Sequence, residues 1–99
     1  MLLREIAHTR TGDKGNRSTI SVIAYQRQDF ERLRQAVTVE RLREHYRDIV
    51  RGDIERFELP QLGALSFVLH DSLGGGVTRS LALDAHGKCL GSSLLSLEI

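Results

Sequence analysis

The chain contains one cysteine and no tryptophan among its 99 residues. A lone cysteine, Cys89, excludes an intramolecular disulfide, and such sparing use of cysteine is typical of a reducing compartment. Aromatic residues make up only 5% of the sequence, too few for the stacking platforms of many nucleic-acid-binding domains. Disulfide-stapled scaffolds and aromatic-rich nucleic-acid readers are therefore disfavoured.

Excess charge and long apolar runs are also missing. The formal net charge is +1, whereas proteins that bind nucleic acid usually carry a clear basic excess. No apolar run approaches the roughly 20 residues that span a bilayer. The N-terminus is charged by Arg4, so we expect no signal peptide. These features predict a cytoplasmic protein with neither a nucleic-acid nor a membrane partner.

Glycine and proline together make up only ten of the 99 residues, nine and one respectively, while 40% of the chain is hydrophobic. That composition is ordinary for a globular protein and excludes disorder. A chain of this length buries roughly 65% of its unfolded surface on folding, which is enough for one modest core. We therefore predict a single domain spanning residues 1–99.

Short apolar runs predict strands on both sides of a helical middle. The runs Leu2–His8, Thr19–Tyr25, Arg56–Leu59, Ala64–His70 and Arg79–Asp84 have strand character. The second run has apolar residues at both sets of alternate positions, so both faces of the strand are apolar, which favours a central strand covered on both faces. In the fourth, Leu65, Phe67 and Leu69 fall on one face.

The middle of the chain has helical spacing. Asp29 can cap a short helix that places Phe30, Leu33 and Val37 on one side, and Thr38 can cap a second helix that runs to Gly52. Asp84–Lys88 has the chemistry of a hairpin turn. The tail Cys89–Ile99 fits either a strand or a helix. The order predicts an α+β, ferredoxin-like fold, with a mainly antiparallel sheet and helices on one face.

A polar loop separates the first two strand-like runs. It combines two glycines, a carboxylate, an ammonium and an amide, in the order Gly12, Asp13, Lys14, Gly15 and Asn16. Converging backbone N–H groups and a lysine favour an anion-binding site, while the aspartate equally suits a tight connection held by Asx-type hydrogen bonds. The loop is not a P-loop, because no Gly-Lys-Ser/Thr stands at the required spacing.

A second loop, Ser72–Ser80, resembles a counterpart to the first. Its candidate ligand-binding residues are Gly74, Gly75, Gly76, Thr78 and Arg79. Three consecutive glycines are entropically costly, which a close approach to a ligand or another subunit would explain, and Arg79 suits a carboxylate or phosphate. The alternative is a flexible hairpin loop in which Arg79 pairs with Asp13 or Asp71. No dinucleotide-binding fingerprint is present, so we predict no cofactor.

Two histidines stand beside these loops in the sequence. If their strands are neighbours, His8 and His70 could face one pocket and one of them could act as a general base, although strand-end histidines more often have a structural hydrogen bond. The four histidines share no ligand-pair spacing, and the chain has no second cysteine, so no metal site is predicted.

Five segments together resemble the AtuA-like ferredoxin-fold family, across nearly the whole chain. They are Thr11–Asn16, Val50–Gly52, Glu58–Leu65, Leu73–Leu81 and Asp84–Lys88. The resemblance implies a ferredoxin-like fold and a role in catabolism of terpenoid or branched acids as acyl-CoA esters. Longer relatives linked to acyclic terpene utilisation carry a large additional N-terminal region. The resemblance assigns no catalytic residues.

Three functions are compatible with the sequence, and enzymatic activity is left open. The first is a binding or accessory subunit for an anionic, acyl-CoA-like molecule, within a homo-oligomer or a larger AtuA-type assembly. The second is a small lyase, hydratase or isomerase acting on an acyl-CoA or related acid at the two glycine-rich loops. The third is an oligomeric structural module without a small-molecule ligand.

Overall fold

A computed structural model of the protein describes residues 1–14, 17–47, 50–70 and 88–99. Its described strands form one antiparallel sheet in the order β1-β2-β4-β3. They are β1 (Ala7–Lys14), β2 (Arg17–Ala24), β3 (Ile54–Leu59) and β4 (Ala64–His70). The described α-helices are α1 (Phe30–Ala36), α2 (Val39–His45) and α3 (Lys88–Leu94), and short 3-10 helices cover Leu3–Glu5, Arg27–Asp29 and Pro60–Leu62.

The hydrophobic core lies between the helices and one face of the sheet. Ile20 and Phe67 are fully buried in the two central strands, and the core also includes Leu33 of α1, Leu42 of α2 and Leu90 of α3. Burial alternates along β2 and β4, which shows that each of these strands buries only one of its two faces against the helices. The structure confirms the α+β class with helices on one face, and the succession β2, α1–α2, β3, β4, α3 follows the ferredoxin-like pattern.

The strand predictions are right in number within the described residues but shifted in extent. The strand Ala64–His70 and its buried face are confirmed, and the strand predicted from Arg56 begins two residues earlier, at Ile54. The second strand is central in the sheet, as predicted, but within the chain only one of its faces is covered: on the side away from the helices Thr19 is exposed and Ile23 half-buried. The predicted strand Arg79–Asp84 lies outside the described residues.

The N-terminal strand predicted over Leu2–His8 is misplaced: only Ala7 and His8 of that run lie in strand β1. Leu3 instead begins a 3-10 helix, because its N–H donates to the carbonyl of Leu97 and the Glu5 carboxylate accepts from the N–H of Leu2. Strand β1 starts at Ala7 and continues through Lys14, so most of the predicted polar loop is strand. The register pairs Lys14 with Arg17, and positions 15 and 16 between them lie outside the described residues.

The helix predictions are partly confirmed. The Thr38 hydroxyl accepts from the N–H of Arg41, as expected of an N-cap, whereas Asp29 makes no side-chain capping bond. The second helix ends at His45 rather than near Gly52. Tyr46 is its C-cap, with backbone angles outside the helical range, and its buried hydroxyl donates to the carbonyl of Leu90.

The C-terminal segment resolves in favour of a helix in its first part. Lys88–Leu94 is α3, which begins at the last residue of the predicted hairpin turn Asp84–Lys88; the rest of that turn lies outside the described residues. After α3 the chain returns to the N-terminus, where Glu98 forms a β-bridge with Leu2. The two ends of the domain are thereby joined on the helix side of the sheet.

Candidate functional site

The face of the sheet away from the helices, called here the open face, carries four rows of residues. Residues directly opposite one another in an antiparallel sheet lie on the same face, so the register defines each row. From one end of the strands to the other, the rows are an apolar row of His8, Ile23, Ala64 and Leu59, a serine row of Arg10, Ser21, Ser66 and Phe57, a threonine row of Gly12, Thr19, Val68 and Glu55, and a basic row of Lys14, Arg17 and His70.

The basic row brings three basic positions together from three strands. Arg17 pairs with Lys14 in β1 and with His70 in β4, and opposed positions lie about 5 Å apart. The side chain of Arg17 is exposed and that of His70 is half-buried. Sequence reasoning singled out Lys14 and His70 but missed Arg17. Its signal is its place immediately after the hairpin connection, opposite a lysine.

A carboxylate borders the basic row and holds its histidine. The Nε2 atom of His70 is hydrogen-bonded to a carboxylate oxygen of Glu55, which stands in the neighbouring row on β3. A carboxylate can only accept, so in the neutral ring Nε2 carries the proton and Nδ1 remains an acceptor. Sequence reasoning also missed Glu55, since only the strand pairing brings the two residues together.

The backbone on the other side of His70 is closely packed. The N–H of Gly52 donates to the carbonyl of His70 over 3.0 Å, and the N–H of His70 donates to the carbonyl of Asp53 over 2.9 Å. A side chain at position 52 would place its Cβ only 2.6 Å from the carbonyl oxygen of His70. The absence of a side chain at Gly52 therefore allows the residues just before β3 to hydrogen-bond to the backbone of His70 at the end of the sheet.

The residues predicted for the first loop divide into two groups. Gly12, Asp13 and Lys14 lie in β1, and Gly12 is exposed with open space around its α-carbon. Gly15 and Asn16 lie outside the described residues. The ligand-binding role predicted for all five stays a prediction.

The second predicted loop lies wholly outside the described residues, with Gly74, Gly75, Gly76, Thr78 and Arg79. The structure does describe where the chain enters that segment. Strand β4 ends at His70, in the basic row, at the same end of the sheet as the hairpin between β1 and β2. The convergence of the two loops remains a prediction, and this end of the open face is its expected place.

The two candidate histidines do not share a pocket. His8 lies in the apolar row and His70 in the basic row, three rows apart, which corresponds to roughly 20 Å along the strands. Their strands are separated by β2, so the condition for a common pocket is not met. The expectation that both imidazoles face one pocket is wrong. The ring of His8 instead stacks on Tyr25, with centroids 5.1 Å apart.

A groove of about 550 Å³ lies on the helix side, between α2 and the C-terminal segment. Arg41 donates to the carbonyl of Glu98, whose carboxylate is 3.1 Å from the N-terminal ammonium, and Nε2 of His45 is 3.0 Å from the hydroxyl of Ser93. The residues that line the groove are Arg41, Glu44, His45, Arg47, Ser96, Leu97 and Glu98. These contacts join the chain termini to α2, and the groove contains none of the predicted site residues.

Two further observations concern the part of the chain that the structure describes. Within residues 1–14, 17–47, 50–70 and 88–99, no group of histidine, cysteine and acidic side chains could hold a metal ion. Across the same residues, none of the helices is both long and apolar enough to cross a bilayer.

The antiparallel sheet, the helices on one face and the open face opposite them define a ferredoxin-like α+β domain. A family model for the AtuA ferredoxin-like domain matches residues 1–99. The chain therefore belongs to the AtuA ferredoxin-like domain family, which confirms the resemblance found in the sequence. No curated protein and no solved structure matches it.

Proposed function

We propose that this chain is a cytoplasmic ligand-binding or accessory domain that binds an anionic small molecule of the acyl-CoA class. The observation that carries the proposal is the basic row, in which the register sets Lys14, Arg17 and His70 side by side. The setting proposed is the one that the sequence resemblance implies, terpenoid-acid catabolism, where such a domain would act within a larger assembly.

The chemistry of the basic row suits phosphate or carboxylate groups. Arginine presents a planar fork of donors to such anions, and lysine adds a point charge. Arg17 is exposed, and the exposed residues Gly12 and Thr19 of the next row leave its approach free of bulky side chains. The predicted second loop would add Arg79 and glycine N–H groups from the segment that follows His70.

Calorimetric titration with an acyl-CoA, free CoA and inorganic phosphate tests the proposal. Replacing an arginine that makes a charge-assisted hydrogen bond loses about 1.5–3 kcal/mol, so Arg17→Gln should weaken binding at least about tenfold. Lys14→Ala and Arg79→Ala should weaken it similarly. Arg43→Gln, which makes the same charge change at an exposed position of α2, is the matched control. Absence of heat with all three ligands would contradict the proposal.

The His70–Glu55 hydrogen bond favours a second candidate function, catalysis on the same class of ligand. Glu55 orients the ring and leaves Nδ1 as the acceptor, the arrangement of a general base held by a carboxylate. In a lyase or isomerase of this kind, Nδ1 would take the proton from the carbon next to the thioester carbonyl. The electrons of that C–H bond would pass into the enolate, and the nearby cations would stabilise its charge.

Deuterium incorporation from D₂O into a saturated acyl-CoA measures this step directly. We expect exchange with the unaltered protein and its loss in His70→Gln, with Glu55→Gln reducing it less severely. His8→Gln is the control, because His8 lies on the same face about 20 Å away. Ligand binding without exchange would leave the binding function standing and eliminate the catalytic one.

A further inference from the structure

The exposed large apolar side chains of the described residues are concentrated at one end of the open face. Phe57 is 48% exposed and Leu59 39% exposed in edge strand β3, and Tyr25 is 64% exposed against His8. Leu62 is 69% exposed in the turn between β3 and β4, next to the same end of the sheet. Soluble monomers rarely expose contiguous apolar patches larger than a few hundred Å², and larger patches mark interaction sites.

Two features of the open face around this patch indicate what covers it. The apolar, serine and threonine rows contain four positions each, and at about 4.8 by 6.8 Å per position they cover roughly 400 Å² in projection. Accessible surface exceeds projection because it follows the relief of the side chains. Two such faces together with Tyr25 and Leu62 therefore approach the roughly 1,200 Å² at the lower end of specific interfaces.

The second feature is that the rows of the open face are self-complementary under a two-fold axis parallel to the strands. Such an axis stacks the open faces about 10 Å apart and turns each row onto the same row of the other copy in reverse order. Apolar row then meets apolar row, and Phe57 meets Arg10 of the second copy, a pairing suited to a cation–π contact. An axis across the strands, through the serine row, would instead set Arg10 against Arg10 of the second copy, a like-charge contact.

We propose that the open face, from the apolar row through the threonine row, is the interface of a homodimer of this chain. The second copy covers Phe57, Leu59 and Tyr25, and the basic row remains at the edge of the interface. The proposal does not depend on ligand binding, since the rows it uses stop short of Arg17 and His70.

Sedimentation equilibrium at about 100 μM protein tests it, because a micromolar dissociation constant makes the dimer the main species at that concentration. We expect a dimer for the unaltered chain. The double variant Phe57→Ser/Leu59→Ser should raise the dissociation constant at least about tenfold, since buried aromatic and aliphatic anchors carry most of the binding energy. A monomer for the unaltered chain overturns the proposal.

A second variant keeps the test valid should the first fail to fold. Ser66→Arg places a long cation at the centre of the serine row, where the two sheets must approach closely, and should dissociate the dimer. Ser92→Arg adds the same charge at an exposed position of α3 and should leave the dimer intact. A dimer that resists Ser66→Arg, or that is lost in Ser92→Arg, uses another surface and contradicts the proposal.

The orientation of the two copies is tested by a double-mutant cycle on the dissociation constant. Arg10→Ala and Phe57→Ala should each weaken the dimer, and the double variant should weaken it less than the product of the two single effects. Independent effects would rule out the proposed axis.

Discussion

At the scale of single residues, Tyr46 lies at the boundary of an element and ties it to the last helix. Its ring is almost completely buried, and its hydroxyl donates to the carbonyl of Leu90 in α3. The α2 helix ends one residue before it, and the N–H of Val50 then donates to its carbonyl over 2.8 Å. The helical spacing of the sequence continues past this point, so the sequence alone predicts a longer helix.

Burial raises the pKa of Tyr46 above the ordinary value near 10. The folded state therefore keeps the phenol protonated where the unfolded chain ionises it. This contribution to stability is complete below about pH 10 and is lost progressively as the pH rises above 10, at up to about 1.4 kcal/mol per pH unit. We expect the free energy of unfolding of the unaltered protein to fall over that range in urea titrations.

Tyr46→Phe isolates the effect. The variant should be about 1–3 kcal/mol less stable at neutral pH, because the buried carbonyl of Leu90 loses its donor, and its alkaline decline should be shallower. Tyr25→Phe removes an exposed phenol and should keep the full decline. An equal alkaline slope in Tyr46→Phe and the unaltered protein would contradict the account.

At the scale of elements, α3 packs against β1 through a glycine. A Cβ at position 91 would approach the hydroxyl of Thr11 more closely than real Cβ atoms do, and would lie 3.0 Å from the hydroxyl of Thr9. These threonines occupy the helix-facing side of β1. Gly91 therefore lets the backbone of the last helix lie close to an edge strand that offers no large apolar side chain.

Gly91→Ala should destabilise the protein by about 1–3 kcal/mol, because the added methyl overpacks this contact and outweighs the gain in helix propensity. Chemical denaturation measures the change. Ser92→Ala, one residue along on the exposed side of α3, should be neutral or slightly stabilising. Thr11→Ala removes the nearest obstructing atom and should restore part of the loss; without such rescue, the steric explanation is wrong.

The elements also show what sequence patterns can and cannot determine. The strand Ala64–His70 was predictable because strict alternation of large apolar residues is typical of a strand with one buried face. The Thr38 cap was predictable because its hydroxyl bonds to a backbone N–H only three residues away. The first strand was misplaced because Leu3 and Arg4 satisfy their N–H groups with Leu97 and Leu95 at the far end of the chain. No local pattern contains that pairing.

The candidate site follows the same division. Lys14 and His70 were recognisable because each flanks a glycine-bearing segment, but their meeting depends on β2 lying between β1 and β4. Arg17 and Glu55 became part of the site only through that pairing. The prediction of a shared pocket for His8 and His70 was wrong because each is next to a glycine-bearing loop in the sequence, and that nearness does not bring two residues together. The register places them at opposite ends of one sheet.

At the scale of the whole molecule, the domain has two unlike sides. The helix side contains the core and the joined termini, with Glu98 paired to the N-terminal ammonium. The open face grades from apolar to basic along the strands. This gradient would separate the two proposed uses of the face, with a second copy on the rows from the apolar to the threonine row and an anion at the basic row.

The most direct test of the central claim is an NMR titration of the ¹⁵N-labelled protein with an acyl-CoA, followed by amide chemical shifts. Binding at the basic row predicts concentration-dependent shifts that centre on Lys14, Arg17 and His70, with the amides of α2 and the C-terminal groove unchanged. Spectra unaltered by the ligand, or shifts centred on Arg41, His45 and Glu98, would contradict it.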